Sequence, residues 1–169
     1  MNALLSIWTW LEVALVALVG FFVQLSLFIL TFLFDKRRYV VGRCFRLVGV
    51  TAAKLTPFWR FGVHGNVPDR VAPNTVVVSN HESNADCFLI SFLPWEMKWL
   101  GKRSLFKVPV VGWMMSLAGD VPVERGDRDS ATGAMARCKE WMLKGMPVMI
   151  FPEGTRSKTD ELLPFKDGA

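Results

Sequence analysis

The stretch from Val13 to Phe34, VALVALVGFFVQLSLFILTFLF, constrains this chain more than any other. It carries no formal charge, and its clearly polar residues are Gln24, Ser26 and Thr31. A helix of that length crosses a hydrocarbon core about 30 Å thick. Trp8 and Trp10 precede the run, and Lys36, Arg37, Arg38 and Arg43 follow it. That is an aromatic anchor at one interface and a positive flank on the cytoplasmic side of the other. No basic region leads into the run and no small-residue cleavage site follows it, which argues against a cleaved signal peptide. The expectation is a transmembrane helix over about 11–34, with the domain that follows it facing the cytoplasm. A re-entrant hairpin bent at Gly20 or Gln24 is the main competitor, and a buried core helix a third arrangement.

Charge is distributed as unevenly as hydrophobicity. All 20 basic residues and all but one of the 15 acids lie beyond residue 34, so that part of the chain carries a formal charge of +6. A basic, membrane-tethered domain suits anionic lipid surfaces and anionic substrates. Nucleic acid is a poor partner for it, because the sequence has no aromatic-basic module and no zinc spacing. Cys44, Cys87 and Cys138 are widely spaced and odd in number, which excludes both a disulfide framework and a metal cluster. Residues 40–57 mix apolar and basic side chains and end at Pro57, as in an interfacial helix or an amphipathic helix packed on the domain. The chain thus divides into a membrane-attachment segment, 1–60, and a domain, 61–169.

Within that domain, short apolar runs alternate with helical patterns. Candidate strands are Phe61 to His64, Thr75 to Ser79, Lys98 to Leu100, Asp120 to Glu124 and Pro147 to Phe151. Ala85 to Leu93 reads as a helix. So does Ser130 to Lys144, with Asp129 or Ser130 as N-cap and Gly145 as terminator. Alternation of this kind predicts an α/β fold with a largely parallel sheet flanked by helices. In such sheets ligands bind outside the carboxyl ends of the strands. His81, Lys102, Arg125 and the stretch Glu153 to Arg156 each follow a different candidate strand, so all would meet along one rim.

The chemistry concentrates in two stretches. Phe151-Pro-Glu-Gly-Thr-Arg-Ser157 joins a carboxylate, a turn glycine, a hydroxyl and a guanidinium, a combination suited to an anionic head group. The other stretch places His81 five residues before Asp86. On a continuous helix those two side chains would diverge by about 140°. They meet only if a turn separates strand from helix; otherwise Asp86 or Asn84 merely caps the helix. If they meet, the carboxylate orients the imidazole as a general base. There is no Gly-x-Ser-x-Gly elbow, so the nucleophile is more naturally a substrate hydroxyl.

Asn80-His-Glu-Ser-Asn-Ala-Asp86, Gly119-Asp-Val-Pro-Val-Glu-Arg125 and Phe151 to Ser157 resemble the sequence blocks of the glycerolipid acyltransferases. The similarity is stronger to those acting on 1-acylglycerol-3-phosphate. It implies that His81 deprotonates the sn-2 hydroxyl of lysophosphatidic acid, and that Asp86 orients His81. Arg125 and Arg156 would bind the phosphate, with Lys102 beside them, while Glu153, Gly154 and Thr155 shape the acceptor pocket. The acyl donor would be acyl-CoA or acyl carrier protein, and no metal or organic cofactor is implied. Glycerol-3-phosphate or another lysophospholipid as acceptor, or lipid binding without turnover, are the alternatives. The resemblance also implies a fourth apolar block downstream of the third. The chain stops at Ala169, before that block, so a domain truncated at its C-terminus is expected. The apolar segment Leu105 to Leu117 suits an acyl-chain tunnel, a membrane-dipping helix or ordinary core.

Overall fold

A computed structural model describes residues 3–157 and 161–166; the end of the domain, 167–169, lies outside the described residues. Ten elements follow one another. Helix α1 (Ala3–Thr31) and α2 (Tyr39–Leu55) precede β1 (Val76–Val78), α3 (Ala85–Ile90) and β2 (Lys98–Lys102). After a 3₁₀ turn (Arg103–Lys107) come α4 (Val111–Ala118), β3 (Val121–Val123), α5 (Arg128–Leu143) and β4 (Val148–Ile150). The four strands form one parallel sheet in the order β1-β4-β2-β3. Val77 pairs with Met149, Trp99 with Met149, and Gly101 with Pro122. This is the expected α/β architecture, with β4 entirely buried at its centre. Val148 and Ile150 pack with Val121, Ala134 and Cys138 on one face, and Met149 with Met97 and Trp99 on the other.

Helix α1 is continuous through Gly20 and Gln24, and both are points of contact. A Cβ at Gly20 would stand 2.3 Å from Val48 Cγ2, so glycine there permits α1 and α2 to approach closely. Gln24 is fully buried, and its side-chain amide donates to the carbonyls of Val41 (3.2 Å) and Met114 (3.0 Å). An unpaired amide would be costly in this apolar setting, so these bonds fix where α1 lies. The helix is therefore pinned along its middle to α2 and α4. Its outer side exposes Leu11, Leu15, Leu18, Phe22 and Ile29. It is the one helix among the described residues long and apolar enough to cross a membrane.

Three sequence expectations require correction. Phe61 to His64 is not a strand; Trp59 and Phe61 instead set their rings edge-on against Phe88 of α3 and Phe92 just beyond it (5.2 and 6.1 Å). Helix α3 stops at Ile90, three residues short of Leu93, ahead of Pro94. The N-cap of α5 is Asp127, whose carboxylate accepts from Ser130 N–H at 3.0 Å; the Ser130 hydroxyl instead accepts from Glu124 N–H. Gly145 ends α5 as expected, at φ +80° with its N–H on the Met142 carbonyl.

Beneath α2, at the amino ends of β2 and β3, lies a buried charge cluster that sequence reasoning did not find. Arg46 pairs with Asp120 and lies 3.5 Å from Glu96, while Lys98 Nζ meets Glu96 Oε1 at 3.3 Å. Lys98 also donates to the carbonyls of Arg38 and Ala118. Burial pushes Lys98 down and Glu96 up; it acts on Arg46 the same way as on Lys98, but Asp120 and Glu96 outweigh it and keep the guanidinium charged. Arg46 shares a helix face with Gly42, Val50 and Ala53, all buried. That spacing was the available signal.

Candidate active site

Because all four strands are parallel, their carboxyl ends share one edge. His81 follows β1, Lys102 ends β2, Arg125 follows β3, and residues 151–157 follow β4. Four signals far apart in sequence thus reach one rim.

The loop after β1 turns sharply before α3, and that turn closes the His81–Asp86 gap. His81 Nδ1 lies 2.8 Å from Asp86 Oδ2. The same oxygen accepts the backbone N–H groups of Glu82 and Ser83 at 2.9 Å each. Burial alone would raise the Asp86 pKa, but the Ser83 amide, His81 and the Glu82 amide outweigh it and hold the carboxyl below its usual range. Asp86 thus occupies the Nδ1 side of the ring, and Nε2 lies on the other side. Nε2 has no hydrogen-bond partner among the described residues.

The β4 loop holds that histidine from behind. The Phe151 ring stacks on the imidazole, with centroids 4.2 Å apart and planes 22° from parallel. Glu153 is 2% exposed; its Oε1 accepts His81 N–H at 2.8 Å and its Oε2 accepts Leu163 N–H at 3.1 Å. Ser157 N–H donates to the His81 carbonyl at 2.8 Å. Both Glu153 oxygens are therefore occupied by backbone, a geometry different from the acceptor-facing role the resemblance implies. Gly154 sits at φ +65°, and a Cβ there would meet Lys166 Cε at 2.9 Å.

On the other side of Phe151 lies a cavity of about 380 Å³. Lys102, Arg125, Arg128 and Lys166 line it, together with Gly154 and Phe151. The structure thus brings Lys102, Arg125 and Gly154 together, and Phe151 forms the wall between them and His81. Thr155 and Arg156 are exposed on the same loop and do not line this cavity. Arg128 was not singled out from the sequence. Arg128, in the first turn of α5 and three residues past Arg125, carried the only available signal.

A second cavity, about 220 Å³ and strongly apolar, lies between the helices. Val13, Ala17, Phe88, Leu105, Val111 and Met114 line it, and Cys87, next to Asp86, borders it. Cys87 is exposed over part of its surface, but the apolar packing on its other side pushes the thiol up to about 11. The Leu105–Leu117 segment is divided in use: Leu105, Val111, Met114 and Met115 face this cavity, whereas Trp113 is half-exposed against Phe21. No group of three or more metal-ligating side chains converges among the described residues.

Comparison with known proteins places the chain in a family. A chloroplastic 1-acyl-sn-glycerol-3-phosphate acyltransferase from Brassica napus is 43% identical over 115 residues, covering 67% of this chain and 33% of that protein. The enzyme of the same name from Escherichia coli is 34% identical over 98 residues, 57% of this chain and 40% of that protein. The chain therefore spans a third to two fifths of the length of these relatives. The crystal structure of the 1-acyl-sn-glycerophosphate acyltransferase from Thermotoga maritima superposes with a TM-score of 0.62 at 26% identity, covering 94% of this chain and 68% of that one. The family profile described as Acyltransferase matches residues 60–169, and the chain belongs to that acyltransferase family.

Proposed function

We propose that this protein transfers a fatty acyl group from a thioester to the sn-2 hydroxyl of 1-acylglycerol-3-phosphate, giving phosphatidic acid. The observation that carries the proposal is the Asp86-oriented imidazole sharing a sheet edge with the cavity of Lys102 and Arg125. The phosphate of the acceptor enters that cavity, where the guanidinium of Arg125 grips two oxygens and Lys102 adds a point charge. Arg156 supplies a further cation from the same rim. His81 Nε2 removes the hydroxyl proton as the oxygen attacks the thioester carbonyl. The tetrahedral adduct collapses with cleavage of the C–S bond, and the imidazolium returns its proton to the departing thiolate. Asp86 remains ionised and stabilises the imidazolium. Gly154 lets the loop approach the acceptor, Thr155 offers it a hydroxyl, and Glu153 acts through the backbone of His81.

The donor is acyl-CoA or acyl carrier protein, and the apolar cavity beside Cys87 suits its chain. Acceptor and product both live in a bilayer, which is where α1 would hold the rim. The positive residues after α1 favour a cytoplasmic domain.

His81→Ala is expected to lower turnover by about 10²–10⁴-fold, the usual worth of a positioned base, without loss of folding. The assay pairs labelled acyl-CoA or acyl carrier protein with 1-acylglycerol-3-phosphate, and with glycerol-3-phosphate as the competing acceptor. Undiminished activity in the variant would remove the general base from the mechanism.

A further inference from the structure

At the opposite edge of the sheet from His81, the end of α1 forms a groove of about 640 Å³ with α4, β3 and the second half of α5. Phe28 and Phe32 make its apolar side, Trp141 its far wall, and Lys36, Arg137 and Lys144 its charged rim. Arg137, Trp141 and Lys144 recur at helical spacing, so one face of α5 looks into it. We propose that this groove binds the phosphorylated headgroup of an anionic bilayer lipid, at a place separate from the proposed acceptor site.

The charge balance favours an anion. Asp35 lines the groove but spends both oxygens on the Tyr39 and Val40 amides at the start of α2, at 2.8 Å each. Asp120 is held by Arg46 and by Trp99 N–H. Glu140 is the remaining acid of the lining. Three helix carboxyl ends, of α1, α4 and α5, also reach this region, and the carbonyls at the end of α4 are met by other cations. Arg38 donates to the Ser116 carbonyl at 2.8 Å and Lys98 to that of Ala118. No ion pair among the described residues uses Lys36, Arg137 or Lys144, and Lys144 lies over the Trp141 ring at 4.6 Å. Those three cations are left to attract a ligand.

The apolar side selects a lipid over a soluble anion. Phe32 is 53% exposed, and Leu33 and Phe34 beyond it more so, continuous with the bare outer side of α1. A phosphate on the rim would leave its acyl chains running along these phenylalanines into the hydrocarbon layer. The inference does not rest on acyl transfer.

The full chain in vesicles provides the test, with Trp141 as reporter, isolated by difference from Trp141→Phe. Brominated phosphatidylglycerol in phosphatidylcholine vesicles should quench Trp141 more than brominated phosphatidylcholine does. Arg137→Gln with Lys144→Gln should weaken the anionic preference by about fivefold per cation removed, with binding to neutral vesicles and the melting temperature unchanged. Arg137→Lys should retain the preference, and added salt should reduce it. Equal quenching by the two brominated lipids, or an unchanged double variant, overturns the proposal. Displacement of the brominated lipid by inorganic phosphate beyond that by sodium chloride of equal ionic strength also overturns it, in favour of a soluble anion. Quenching that persists in His81→Ala keeps the groove distinct from the acyltransferase chemistry.

Discussion

The two edges of the sheet carry similar residues and use them in opposite ways. At the amino edge, Arg46, Lys98, Glu96 and Asp120 are all at most 6% exposed and paired with one another or with backbone. At the carboxyl edge, Lys102, Arg125 and Arg156 are exposed, and no ion pair among the described residues uses them. A buried, paired guanidinium is spent on holding α2 against β2 and β3. A hydrated, unpaired one is free for a substrate phosphate. Residue type does not decide between structural and reactive charge; burial and partners do.

The strongest way to break this comparison is at Asp120. Asp120→Ala leaves the Arg46 guanidinium buried without its short-range partner and frees the Trp99 amide. Removing one member of a buried pair typically costs about 3–5 kcal/mol, because the other charge stays desolvated. Denaturant unfolding should show that loss, and the remaining folded fraction should retain acyl transfer per molecule. A stable variant with reduced turnover would mean that the amino edge communicates with the rim. His81→Ala is expected to do the opposite, lowering turnover by about 10²–10⁴-fold with folding intact.

Glu153 tests the same distinction inside the proposed site, because it belongs to the rim yet is buried like the residues of the other edge. Glu153→Gln keeps one acceptor oxygen and turns an NH₂ toward either His81 N–H or Leu163 N–H. If the carboxylate acts by positioning His81, kcat should fall by about tenfold, equivalent to one strong hydrogen bond, while KM for the acceptor holds. A rise in KM at constant kcat would return Glu153 to the acceptor pocket. Steady-state kinetics on the two enzymes separates these outcomes.

The rim was legible in the sequence because its logic is topological. Once strands alternate with helices in a parallel sheet, their carboxyl ends share an edge, so element order alone puts His81, Lys102, Arg125 and the β4 loop together. What remained hidden was where each side chain turns. Glu153 lies next to a glycine and a guanidinium, which reads as substrate contact, yet its partners are backbone amides invisible to pattern. Gln24 reads as a bend in an apolar run, yet its bonds reach Val41 and Met114, the latter ninety residues away in sequence. Arg46 was hidden by its neighbours: among Arg43, Lys54 and Arg60 it looked like another surface cation. Phe61 to His64 failed because β propensity measures fit to a pleated surface, and here the Phe61 ring packs edge-on against Phe92, just past α3, instead.

Asp127 gives the smallest effect and the finest discrimination, since it belongs to both categories at once. It caps α5 through Ser130 N–H, and it also lines the cationic cavity beside Arg125 and Arg128. Asp127→Ala should cost about 1 kcal/mol through the lost cap. The same change removes a negative charge from the cavity, so KM for an anionic acceptor should fall slightly, and less so in high salt. Asp127→Asn preserves the capping oxygen without the charge, so it should restore stability and keep the lower KM. Opposite signs for stability and affinity at one residue follow only if the rim cations face substrate. If Asp127→Ala and Asp127→Asn leave KM unmoved at every salt concentration, the cavity of Lys102 and Arg125 does not hold the acceptor phosphate, and the division between the two edges fails on the reactive side.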